Sequence, residues 1–101
     1  MDIQKDAILF NLKRITNLIF KILPNREEGG EWRNLLSTLL EELAGMDRLF
    51  LDKHTTFFTL ICKLEGLYFL SEEEDFYDFR RTIFECLSLM EELRKYVEQF
   101  G

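Results

Sequence analysis

Between Phe76 and Phe100 the apolar side chains Phe76, Phe79, Ile83, Cys86, Met90, Leu93, Val97 and Phe100 recur in alternating steps of three and four without a gap. Such an a/d series fits a helix and no strand, because only a period near 3.5 keeps these positions on one line. A single seam cannot bury itself. It requires other one-sided helices, and seams of this kind interdigitate at crossing angles near +20°. The chain is therefore bound to an all-α bundle, and its remaining residues must supply the partners.

They do so three times. Ile8, Leu12, Ile15, Ile19 and Ile22 share one helical face and predict a helix over 3–23 that Pro24 stops. The stretch from Pro24 to Gly30 then reads as the one clear loop, holding the only proline and the only glycine pair. Trp32, Leu36, Leu39, Leu43, Met46 and Phe50 predict a second helix over 31–51, running on through Gly45 because the stripe stays in phase. A third helix over 55–70, with Asp52 or Thr55 as its N-cap, carries Phe57, Leu60, Ile61, Leu64, Leu67 and Tyr68 on one face. Phe58, Cys62 and Phe69 form a second apolar stripe roughly 120° round the same helix. Ser71-Glu-Glu-Glu74 matches a capping box for a fourth helix over 72–100. These elements predict an antiparallel four-helix bundle in a single domain, residues 1–101. The alternative merges helices three and four into one bent helix from 55 to 100 within an intertwined dimer.

With 47% apolar and 14% aromatic residues, the chain is too hydrophobic to be disordered. Its longest apolar runs are broken by Lys21, Lys63 and Glu65 and fall short of the roughly 20 residues a membrane span needs, so no transmembrane segment is expected. Cys62 and Cys86 lie apart in apolar segments, and the start Met1-Asp-Ile-Gln-Lys-Asp6 lacks the basic character of a signal peptide. A reducing, cytoplasmic location is the expectation. A net charge of −6 argues against a general nucleic-acid binder held by phosphate neutralisation.

Chemistry would have to begin at His54, the single histidine. Arg48-Leu-Phe-Leu-Asp-Lys-His54 has an Arg-x5-His spacing, and these seven residues resemble the motif of HEPN-domain ribonucleases, themselves small helical bundles. The resemblance implies Arg48 as the phosphate-binding charge and His54 as general acid or base, with two motifs meeting at a dimer interface. The stretch departs from the family pattern in lying between the second and third helices, and in having Leu49 where a polar residue is common. Other constellations are missing. No Glu-x-x-His pair occurs for a di-iron carboxylate centre, Cys62, Cys86 and His54 lack the short paired spacings of zinc sites, and Gly29-Gly30 is not followed by Lys-Ser/Thr. The expectation is a protein that is not an enzyme, holds no metal and no cofactor, and takes no small-molecule substrate.

Charge is uneven along the chain. Residues 1–26 carry five basic and two acidic side chains, and Lys13, Arg14 and Lys21 form a basic face on the first helix. That face suits a membrane surface, a nucleic acid or an acidic protein, or lateral pairing with the acidic last helix. The apolar excess says more, because a small bundle needs about one face per helix. Phe58, Phe69, Tyr77 and Phe84 fall outside the main seams and are the expected protein interface. The function expected is a non-catalytic protein–protein interaction module, acting as a homodimer or as a small subunit, adaptor or inhibitor of a larger assembly. The alternatives are the HEPN-like ribonuclease and a nucleic-acid or membrane accessory protein using the basic face.

Overall fold

In the computed structural model, which describes residues 3–69 and 76–99, helix α1 spans Ile3–Glu27 and passes through Pro24 instead of stopping there. Proline removes one N–H and crowds the carbonyl four residues back. The following turn offsets that loss: the Glu28 N–H donates to the Pro24 carbonyl at 3.0 Å, the Gly29 N–H to that of Arg26 at 3.1 Å and the Gly30 N–H to that of Asn25 at 2.8 Å. The last two bonds make a Schellman cap, with Gly29 in the left-handed conformation at φ +76°. The glycine pair, not the proline, is the stop signal. The extra turn is also tied down by Arg26, whose guanidinium sits 4.3 Å from the centre of the Phe79 ring.

Helix α2 (Trp32–Ala44) is shorter than the apolar stripe predicts. Gly45 caps it, its N–H donating to the Glu41 carbonyl at 3.2 Å, and a 3-10 segment, Asp47–Lys53, replaces the expected last turns. Glycine loses the most backbone freedom on joining a helix, so the α-helix yields at that point. Met46 and Phe50 are still both buried, because the segment is kinked by non-helical backbone at Phe50 (φ −119°, ψ 33°), whereas a regular 3-10 turn would carry a residue four places on out of phase. Helix α3 (His54–Tyr68) begins after Lys53, which makes no side-chain cap. Neither Asp52 nor Thr55 is the N-cap: the first precedes it and the second lies inside the helix. Helix α4 spans Phe76–Glu98. The Ser71–Glu74 capping box and Phe100 lie outside the described residues.

The four helices form an up-and-down bundle of 48 × 22 × 18 Å in which α1 packs on α2 and α4, α3 packs on α4, and α2 meets α3 over the shortest stretch. Surface bonds trace the antiparallel order: Arg14 to Glu42 at 2.6 Å joins α1 to α2, Lys5 Nζ to the Glu98 carbonyl at 2.9 Å joins α1 to α4, and Lys63 to Glu85 at 3.4 Å joins α3 to α4. Because α3 and α4 lie side by side, the merged helix from 55 to 100 does not form. The predicted seams of α1 and α2 are buried throughout, and that of α4 is buried from Phe79 to Val97, whereas Phe76 is 37% exposed. No buried polar or charged side chain occurs among the described residues. Aromatic clusters close both ends. Trp32 meets Phe79 edge-on at 5.2 Å, and Phe50 stacks on Phe57 at 5.3 Å with Tyr96 at 6.2 Å.

Two glycines test this account with opposite signs. Gly29→Ala forces a side chain into left-handed backbone and should destabilise the fold by ~1–2 kcal/mol. A methyl at Gly66, inside α3, meets nothing within 4 Å, so Gly66→Ala should stabilise by up to ~1 kcal/mol. Urea denaturation of the two variants reads both; equal effects would contradict the assignments.

Candidate functional site: two exposed aromatic faces

Helix α3 has more apolar residues than one seam can hold. Phe57, Leu60, Leu64 and Leu67 are buried, while Phe58 is 57% and Phe69 82% exposed, with Cys62 exposed between them. Thr56 and Lys63 mark the edge of α3 that faces α4, since they bond Glu92 and Glu85. At 100° per residue, Phe58 and Phe69 point away from the buried stripe, on the outer face of α3, and Tyr68 lies on the edge toward α2. On that side Tyr68 and Phe69, at the end of the helix, line a groove of about 370 Å³ with Ser37, Leu40, Glu41 and Glu65. The Arg33 Nε–H donates to the Tyr68 carbonyl at 3.3 Å and ties α2 to the end of α3.

Tyr77 and Phe84 are exposed as well, but on α4. Phe84 precedes Leu87 and Glu91 by one and two turns, and both of these line a second groove, of about 370 Å³, between α1 and α4. Leu9, Leu12 and Thr16 form its α1 wall, and Lys13, Glu91, Arg94 and Glu98 its charged mouth. Arg94 bonds both Glu91 and Glu98 and holds the Glu91 carboxyl below its usual range, chiefly by the hydrogen bond. The four expected interface residues are thus all at the surface, yet they do not make one patch. Phe58 lies on the outer face of α3, Phe69 also lines the α2/α3 groove, and Phe84 belongs to the α1/α4 side.

Besides the four expected residues, five further apolar side chains are exposed: Phe10 at 67%, Phe20 at 55% and Leu51 at 68%, and Tyr68 at 38% and Phe76 at 37%, which the apolar stripes place in the seams of their helices. The signal was present in α1, because Phe10 and Phe20 fall opposite the Ile8–Ile22 seam on a helical wheel. Lys13 and Lys21 share that outer face with them. Arg14 does not: it turns toward α2 and pairs with Glu42 instead of with the acidic last helix.

His54 is exposed as the first residue of α3, and its ring stacks on Phe58 at 5.8 Å. Arg48 is exposed on the 3-10 segment. Among the described residues no group of three His, Cys, Asp or Glu side chains is arranged to hold a metal ion, and no helix is long and apolar enough to cross a membrane. No protein family, no curated protein and no solved structure matches the chain.

The two thiols have opposite environments. Cys62 is exposed, whereas burial pushes Cys86 from its ordinary 9.0 up to about 12. A thiol reagent at neutral pH should label one cysteine in the native protein, at position 62, and two in denaturant. Because Cys86 stays protonated in the fold while the unfolded thiol ionises, its contribution to stability is full below pH ~9 and is lost as pH rises toward ~12. Rapid native labelling of both thiols, mapped by mass spectrometry, would contradict the buried position of Cys86.

Proposed function

We propose that this protein is a non-catalytic protein-binding module that works by burying exposed aromatic side chains against a protein surface. The observation that supports the reading is the sorting of phenylalanine. Of the nine described, only Phe50, Phe57 and Phe79 are buried, while Phe10, Phe20, Phe58, Phe69, Phe76 and Phe84 are exposed. Phenylalanine is among the residues most often found inside. Burying one contributes ~1.5–3 kcal/mol, and association costs ~4–15 kcal/mol in lost freedom. Two such residues do not hold a partner, but a whole face of them does. A homodimer and a small subunit, adaptor or inhibitor of a larger assembly both use such a face, and a reducing cytoplasm suits the exposed thiol of Cys62.

Phe58→Glu and Phe69→Glu should leave the helical fold and its melting temperature nearly unchanged, because neither side chain is in the core. Each should weaken partner binding by about thirtyfold or more if it lies at a hot spot. Cross-linking with a photoreactive residue at position 58 or 69, followed by mass spectrometry, identifies what is bound; variants that keep full binding would defeat the reading. The ribonuclease alternative is checked separately. His54→Ala and Arg48→Ala should not alter the fate of labelled RNA, and an RNA cleavage abolished by both substitutions would establish the enzyme instead.

A further inference from the structure

Part of the surface charge is paired within the bundle, but among the side chains that are not, four lie beside the exposed phenylalanines. Arg14, Lys63, Arg81 and Arg94 all have carboxylate partners. Lys13 and Lys21, on the outer face of α1 with Phe10 and Phe20, have none among the described residues. Glu41 and Glu65, which line the α2/α3 groove with Leu40, Tyr68 and Phe69, have none either. One surface is thus a basic aromatic helix face with Asp6 as its acidic residue, and the other is an apolar groove with an acidic rim.

The two surfaces cannot meet within one molecule. Helix α1 packs on α2 and α4, so its outer face looks away from the α2/α3 groove across the bundle. We propose that the outer face of α1 in one copy docks into the α2/α3 groove of a second copy, head to tail. The proposal rests on the reading of the exposed aromatics as an interface and names the partner for it. Symmetric pairing is opposed by charge: α1 against α1 brings lysines together, and groove against groove brings glutamates together. A heterologous contact leaves one free groove and one free helix face, so assembly proceeds to a ring or an open chain.

Mass measurement by light scattering after size exclusion tests this with two exposed substitutions. The wild-type mass should exceed 12.2 kDa, grow with concentration and fall as salt is raised. Phe10→Glu, which keeps the groove, and Phe69→Lys, which keeps the α1 face, should each associate with themselves about thirtyfold or more weakly. Mixed, they should form a one-to-one pair of twice the monomer mass and nothing larger, because one functional face and one functional groove remain. Circular dichroism confirms that both variants stay helical. A wild type that remains monomeric, or variants that fail to complement each other, overturns the proposal. Flotation with phosphatidylserine vesicles that depends on Lys13 and Lys21 while the protein stays monomeric overturns it too, and assigns the α1 face to a lipid surface. A monomer whose photo-cross-link to another protein is lost in Phe58→Glu leaves the broader binding reading standing, whereas loss of neither self-association nor binding in any variant removes both.

Discussion

Four helices around one axis offer each other one face apiece, and among the described residues that shared space holds apolar side chains, the Cys86 thiol with them, and no buried polar or charged residue. An amphipathic helix presents a stripe of about 100° to such a core. Helix α3 brings a stripe of Phe57, Leu60, Leu64 and Leu67 and a second one of Phe58, Cys62 and Phe69. Only one of them fits. Choosing the first fixes the orientation of α3 and drives the second outward, where its phenylalanines add little to the stability of the single chain. Folding therefore accounts for the buried aromatics and not for the exposed ones.

The same hierarchy decides what sets the register of the helices. Truncating a seam leucine or isoleucine costs ~2–5 kcal/mol, while an exposed ion pair contributes ~0–1 kcal/mol. Arg14–Glu42 and Lys63–Glu85 accordingly follow an alignment that Ile15, Leu39, Leu64 and Cys86 have already imposed. Aromatic rings close the ends of the bundle, with Trp32 and Phe79 at one and Phe50, Phe57 and Tyr96 at the other. Surface charge is left free of any large structural duty, and its distribution can serve recognition.

What was legible in the residue order was the part governed by period. The heptad series of α4 and the isoleucine stripe of α1 name their buried residues because a helix repeats every 3.6 residues wherever it is. Helix ends were less legible, since they depend on backbone bonds that side-chain patterns do not encode. Pro24 looked like a terminus, but a Schellman cap four residues on outweighed it. Met46 and Phe50 looked like α-helix because the kinked segment after Gly45 still turns both side chains into the core. The exposure of Phe58, Phe69, Tyr77 and Phe84 was legible for the same periodic reason. Their division between two sides of the bundle was not, because it depends on which neighbour each helix faces, and that appears only once the four are packed.

The exposed aromatics also differ in how they are covered. On α4, the guanidinium of Arg26 lies 5.8 Å from the Phe76 ring centre and that of Arg80 lies 5.5 Å from that of Phe84, contacts that shield those faces with a cation. Among the described residues no cation lies over Phe10, Phe20, Phe58 or Phe69. Phe58 has the ring of His54 beside it and Phe69 that of Tyr68, which enlarge the aromatic surface instead of masking it. An arginine over a ring has to be displaced or rearranged before a partner can take its place, whereas an uncovered ring loses only water. The outer faces of α1 and α3 are consequently the surfaces on which binding displaces the fewest existing contacts, and they are also the ones flanked by unpaired charges of opposite sign.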